Sequence, residues 1–423
     1  MKKSVTIMLC VLNLTGSGAV AQDMAATADS EWRGYVEPLA PIAKTLLGDL
    51  PTPADAQLRL EMYRALMAGV SVGYLVLFNA DPRYPDFTPY TTQAFNALGN
   101  NPDNDYYVTP IEDSGVYRIS GYRGTVKRID FQIGSGMFLT RGDADEKRFG
   151  ETLANHDLDE DARIQPDGSF DVILSRERPK GYTGDWWELG AGANNVFVRQ
   201  ISYDWLHEID GRLAIERLDT AATKPRPSAA DLDRNLKQIS RWAEQTVIGS
   251  AKYAQAVRAQ QGINKMGYKD MSLTSAIGTQ RYAYGGFDIE ADEALVVEAR
   301  VPETCRYWGM HLLDDIAYMH EWMNRQSSLN GFMMHIDKDG KFRAVISARD
   351  PGVPNWLDTG GCKTGLMQVR WERCSSWPEH TVTRIKVADV RRYVPADTPV
   401  ISAEQRDAAL RLRRKGAQMR KRW

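Results

Sequence analysis

Three stretches of this 423-residue chain gather side chains able to do chemistry. In Arg199-Gln200-Ile201-Ser202-Tyr203-Asp204-Trp205, a guanidinium and a carboxylate stand five residues apart with two aromatics. That spacing suits a buried ion pair or a pocket wall. Pro302-Glu303-Thr304-Cys305-Arg306-Tyr307-Trp308-Gly309 leads towards Arg325 and Ser328-Leu329-Asn330-Gly331. Between Asp350 and Gly361, prolines and glycines make a constrained loop that displays Asn355, Trp356 and Asp358. Ligand sites are mostly apolar with a few placed polar groups, and arginine holds carboxylate or sulfate through two parallel hydrogen bonds. The candidate ligand-binding residues are therefore Arg199, Trp205, Arg306, Tyr307, Trp308, Asn330, Asn355 and Trp356. If the protein is an enzyme, Asp204, Asp350 and Asp358 are the candidate catalytic acids or bases. A structural corner, with Asp350 and Asp358 accepting from backbone amides, is the competing reading of the third stretch.

Other constellations point less far. Asp157, Asp159 and Asp161 begin a calcium-loop spacing, but Ala162 and Gly168 stand where glycine and a bidentate glutamate are needed. His311, Asp315, His320 and Glu321 have ligand chemistry without a metal-site spacing. No dinucleotide loop, phosphate loop, zinc-protease helix or nucleophile elbow occurs. No metal and no cofactor is expected. Trp186 and Trp187 raise carbohydrate binding through exposed indoles as a further alternative.

The elements that must position these residues change period along the chain. Ala54–Phe78 reads as a helix buried all round at its far end, stopped by Pro82 and Pro85. From about Val108 the apolar period becomes two. Val116–Ser120, Ile129–Ile133, Phe170–Leu174, Val196–Ser202 and Leu213–Leu218 read as strands. Ser228–Gln261 is a long helix, with Ser228 and Asp231 as a capping box and Gly262 as its stop. More strands follow: Ala294–Arg300, Phe332–Ile336, Phe342–Ser347, Leu366–Trp371 and Thr381–Val387, with Asp337-Lys338-Asp339-Gly340 as a hairpin turn. The fold class is mainly β with flanking helices (α+β), its antiparallel sheets forming a β-sandwich or jelly-roll-like arrangement. Six regions result: a signal peptide (1–21), an N-terminal helical region (22–100), a first β region (101–222), a connecting helix (223–265), a second β region (266–395) and a basic C-terminal helix (396–423).

Lys2 and Lys3, the apolar stretch Val5–Leu14 and Ala19-Val20-Ala21 form a secretory signal cleaved after Ala21, so a periplasmic or secreted protein is expected. Of the three remaining cysteines, Cys305, Cys362 and Cys374, at least one stays unpaired within the chain. A Cys362–Cys374 bridge is disfavoured, because both flank one strand. Formal charge is −2, which provides no global attraction for nucleic acid. The exception is Glu404–Trp423, with eight basic residues against two acidic. It reads as a solvated helix whose Ala409, Leu410 and Leu412 touch the body, or as a weak contact for an anionic membrane surface or an acidic partner.

Asn101-Pro102-Asp103-Asn104-Asp105-Tyr106-Tyr107, the Gly121–Thr125 turn, Arg199-Gln200 with Asp204-Trp205, and the Cys305–Asn330 and Asp350–Gly361 stretches together resemble the bacterial "domain of unknown function 1214" family, from about residue 50 to the tail. The resemblance implies a β-rich, jelly-roll-like domain and no established activity or catalytic residues. The expected function is binding or transformation of a small, partly apolar organic molecule of the terpenoid, steroid or aromatic acid class. The alternatives are a non-catalytic envelope protein, including a homo-oligomer that uses its sheets and tail as contacts, and a carbohydrate-binding protein.

Overall fold

The computed structural model describes residues 27–48, 56–79, 81–92, 96, 99–136, 151–268 and 280–420. The expected signal segment lies outside them. The described residues hold seventeen strands in four sheets, which pack in pairs as two β-sandwiches.

The first sandwich faces one sheet, β1 (Thr88–Pro89), β2 (Asn104–Pro110), β8 (Asn195–Ile201), β4 (Arg128–Gly134) and β5 (Thr152–Asp157) in that spatial order, against a second. The second runs β7 (Asp185–Glu188), β6 (Ser169–Ser175), β3 (Tyr117–Tyr122), β9 (Arg212–Arg217). Alternation drives this packing: Ile129, Phe131 and Ile133 of β4 meet Val196 and Val198 of β8 and Ile119, Val172 and Leu174 opposite.

The second sandwich repeats the plan. One sheet runs β10 (Gln280–Asp288), β16 (Thr364–Cys374), β12 (Cys305–Leu313), β13 (Ser328–Asn330). The other runs β15 (Trp356–Asp358), β14 (Lys341–Ser347), β11 (Glu293–Arg300), β17 (Thr381–Lys386). Its core holds Leu295, Val297, Trp308, Phe342, Met367, Val369 and Trp371. Truncating a fully buried tryptophan such as Trp371 to alanine costs about 3–5 kcal/mol. Cys305 and Cys374, directly paired across β12 and β16, form a disulfide, and Cys362 stays free.

Helices close one side. α1 (Ala40–Gly48) and α2 (Ala56–Phe78) pack on α4 (Ala229–Gln261), while α3 (Leu158–Asp161) is a single turn after β5. The capping box at Ser228 and Asp231 is present, and Gly262 ends α4 at a φ of 89°. Helix α2 is long and apolar enough to cross a bilayer by length and composition, yet it lies against α4. Gly69 permits the approach, since a Cβ there would stand 3.3 Å from the Ala243 backbone.

Three expectations fail for legible reasons. Phe332–Ile336 is a turn, because the Asn330 side chain accepts from the Phe332 and Met333 N–H groups and pulls the backbone out of extension. The Asp337–Gly340 turn does form, with the Gly340 N–H donating to the Asp337 carbonyl at 2.9 Å, but beyond it Ile336 and Phe342 make an isolated bridge and no ladder. Trp187 is no exposed carbohydrate platform: it is buried and stacked on His156, with ring centroids 4.5 Å apart. Trp186 is half-buried, and its indole N–H donates to Ser175. The C-terminal helix α5 (Ala403–Met419) docks not through Ala409 and Leu412, which are exposed, but through Arg406, Arg413 and Arg420, spaced seven apart on one face.

Candidate functional site

Strand alternation puts a second set of side chains on the faces turned away from each core. On β4 these are Arg128, Asp130 and Gln132, and on β16 they are Gln368, Arg370 and Glu372. Pattern alone would send both polar faces to water. All seven β4 residues are nevertheless buried, because the two sandwiches meet there, and Arg128 pairs with Glu372 across the seam.

At one end of the seam the Asp103 carboxylate is satisfied on both oxygens, although Arg420 Nε and Asp105 Oδ2 beside it have no hydrogen-bond partner. Asp103, just before β2, accepts from the Tyr307 hydroxyl at 2.7 Å, the Trp205 indole at 2.9 Å and the Asn330 amide at 2.8 Å. Asn101 donates to that same Tyr307 oxygen at 2.6 Å. The Arg420 guanidinium donates to the carbonyls of Pro102 and Asp103 and lies 5.3 Å from the Trp205 ring, with Arg413 at 4.6 Å from it. Burial pushes the Asp103 carboxyl up despite its three donors. Neighbouring Asp105 is pushed up to about 6, chiefly by burial and against the pull of Arg420.

The other end is incompletely satisfied. Arg370 donates to the Gly99 carbonyl and, at 3.3 Å, to Gln368, and it lies 4.9 Å from the Tyr282 ring. Among the described residues it has no carboxylate partner, and its Nε has no acceptor. Tyr106, Tyr282, Tyr284 and Tyr307 surround it electrostatically. Arg199 donates to Gln132 at 2.7 Å and lies over Phe197 at 4.6 Å, and both Arg199 and Arg370 act on the Tyr106 hydroxyl. Asp130 is fully buried; its oxygens stand 3.7 Å from Arg128 Nε and 3.7 Å from Arg199 Nη1, and neither makes a hydrogen bond. Burial pushes its carboxyl up.

The candidates read from sequence therefore scatter. Trp205, Tyr307 and Asn330 converge on Asp103, and Arg199 lines the seam. Arg306 joins Asp157 at 2.8 Å, Asp159 at 3.1 Å and Glu160 at 3.0 Å, with Arg128 and Arg123 completing the cluster. Guanidinium groups thus occupy Asp157 and Asp159 of the calcium-like spacing, while Asp161 accepts from the Asp157 N–H at 2.8 Å. Trp308 lies in the core, stacked on Phe342 and Trp371. Asn355 clasps the His335 backbone in both directions, and the Trp356 indole donates to the Ser347 carbonyl.

The three candidate aspartates have structural contacts. Asp350 receives Arg406 at 2.8 Å. Asp358 receives Arg325 at 2.9 Å and the Gly360 N–H at 2.7 Å. Asp204 takes the Leu206 N–H and His207, so no Arg199–Asp204 pair forms; the turn after β8 directs the carboxylate away. The histidine set does not converge either: His311 faces Gln368, Asp315 binds Arg258, and Glu321 accepts from the Met323 and Asn324 amides. Among the described residues, no cluster of histidine, cysteine and acid side chains could hold a metal ion.

Sequence reasoning passed over Asp103, Asp130 and Arg370. The available signal was the charged alternation Arg128-x-Asp130-x-Gln132 and Gln368-x-Arg370-x-Glu372, interleaved with the apolar Ile129, Phe131 and Ile133 and with Met367, Val369 and Trp371.

Residues 286–370, which include β11, β12 and most of β16, match the family model described as "Protein of unknown function (DUF1214)". The chain carries that domain. The DUF1214 segment thus forms the heart of the second sandwich and ends on Arg370. The chain is similar to the crystal structure of an uncharacterized protein from Burkholderia cenocepacia, with 25% identity and a TM-score of 0.77, covering 86% of this chain and 98% of that one. The VPA0106 protein from Vibrio parahaemolyticus is more distant, with 11% identity and a TM-score of 0.42 over 76% of this chain and 99% of that one. No curated protein matches the sequence.

Proposed function

We propose that this DUF1214-containing chain is an exported protein that binds a small, partly apolar organic anion of the terpenoid, steroid or aromatic acid class. Its site is the seam between the two sandwiches. The observation that carries the reading is Arg370, a partly buried guanidinium ringed by tyrosines with no carboxylate to neutralise it among the described residues. Uncompensated buried charge is costly, so a cation kept in this state supports a role in receiving an anion. Arg199 is the second cation, and Tyr106, Phe197 and Tyr282 provide the apolar wall. Export rests on the Lys2–Ala21 segment.

Calorimetry with benzoate and cholate tests the binding reading. Saturable binding by the wild type, weakened at least about tenfold in Arg370→Gln and partly kept in Arg370→Lys, is the expected result. Binding of neither probe, or binding indifferent to Arg370, defeats it.

A further inference from the structure

A ligand held at Arg370 by its anionic end must still answer for a second polar group further along the seam. Asp130 shares its strand face with Arg128 and Gln132, opposite the side that carries Ile129 and Phe131 into the core. It is completely buried, and both of its oxygens lack a hydrogen-bond donor. Its two arginine neighbours stand at 3.7 Å, beyond hydrogen-bond length. Nearby, the buried Asn155 Oδ1 and Arg128 Nη2 also lack partners. Native proteins leave few such atoms, so several at one place call for an explanation.

Arg199 links this place to the anion anchor, since it stands beside Asp130 and acts, like Arg370, on Tyr106. The order along the seam is Arg370, Tyr106, Arg199, Asp130. Resting on the anion-binding reading, we infer that Asp130 is the second polar anchor of the site and that it engages a hydroxyl group on the ligand. The substrate class narrows to hydroxylated aromatic or cyclic carboxylates. A hydroxyl suits Asp130 in either protonation state, because it donates to a carboxylate and accepts from a carboxylic acid. A hydrocarbon at the same place would leave both carboxyl oxygens unpaired, which is how a polar site rejects an analogue lacking the hydroxyl.

The experiment compares benzoate with 3-hydroxybenzoate and 4-hydroxybenzoate, and phenylacetate with 4-hydroxyphenylacetate, by calorimetry on the full chain. In the wild type, at least one hydroxylated acid should bind about tenfold or more tighter than its parent. In Asp130→Leu, which can neither donate nor accept, that advantage should fall below about threefold once native circular dichroism is shown. Parents binding as tightly as hydroxylated acids to the wild type would overturn the assignment, and that arm needs no folded variant. An advantage that survives in folded Asp130→Leu would overturn it too. The anion reading fails separately, through loss of all carboxylate binding or indifference to Arg370→Gln, and it takes this inference with it.

Discussion

Asp103 and Asp130 are both carboxylates buried at the meeting of the two sandwiches, and burial raises the pKa of each. Asp103 receives a phenol, an indole and an amide, and its own carbonyl accepts from Arg420. Asp130 receives no donor at hydrogen-bond distance. The contrast teaches that buried charge by itself separates nothing in this molecule. The donors each one receives do: the Asp103 carboxylate joins β2, β12 and β13 through three of them, whereas both Asp130 oxygens are left without one. Three of the aromatic and amide residues that looked like ligand contacts, Trp205, Tyr307 and Asn330, belong to the first kind.

The sharpest way to break the comparison is Asp103→Ala. It strands three buried donors, and losing one partner of such a network costs about 3–5 kcal/mol. Urea unfolding followed by tryptophan fluorescence should show that loss. Asp103→Asn, which keeps the volume, should cost about 1–2 kcal/mol. A smaller effect from Asp103→Ala than from Asp130→Ala would reverse the roles assigned to the two sites.

Arg420→Ala comes next, at about 2–3 kcal/mol, because it removes charged donors from the Pro102 and Asp103 carbonyls and the cation beside Asp105. Arg411→Ala, an exposed residue paired with Asp407 four positions back, should leave the unfolding midpoint in the same assay unchanged. Equal effects from the two would mean that the tail is a solvated helix after all.

A pH series probes a second carboxyl of the Asp103 junction. Asp105 titrates near 6 when folded against an ordinary 3.8, and the groups acting on it are Arg420, Asp210 and Gln200. Below 3.8 both the folded and the unfolded chain hold its proton, so the neutral buried carboxyl costs nothing extra. As pH rises towards 6, the unfolded chain has released the proton while the folded chain retains it, and stability falls by up to about 3 kcal/mol. Asp105→Asn should reduce the slope between about pH 4 and 6, to which Asp314, pushed up to about 7 by burial, also contributes. An unchanged slope would place the responsible carboxyl elsewhere.

The fold was legible because its signals are local. Period-two runs located β3, β4, β6, β8, β9, β11, β14, β16 and β17, and the Ser228–Asp231 box marked the start of α4. The candidate site was legible only in pieces. Arg199 was in view, but Arg128, Asp130, Gln132 and Arg370 looked like the wet faces of ordinary strands. What buries them is a second sandwich some two hundred residues away in the same chain, and no local pattern states that two polar faces will meet. The Arg406, Arg413, Arg420 stripe has the same cause. Its spacing of seven was readable, but arginines on a basic helix suggest solvent until Asp350, the Trp322 carbonyl and the Pro102 carbonyl are found beneath them.

The smallest effect expected is also the most discriminating. Arg370→Gln in the ligand-free protein should change unfolding stability by less than about 1 kcal/mol, although the residue is partly buried and charged. It loses the Gly99 carbonyl and the Tyr282 face, but it also loses a guanidinium whose Nε has no acceptor and whose charge no carboxylate offsets. Gain and loss oppose each other, as happens where a residue is kept for binding at some cost in stability. A loss of 3 kcal/mol or more, on the scale of about 3–5 kcal/mol for breaking a buried pair, would put Arg370 beside Asp103 as a structural anchor. Near-neutrality in the free protein, together with lost carboxylate binding, would keep the two ends of the seam distinct.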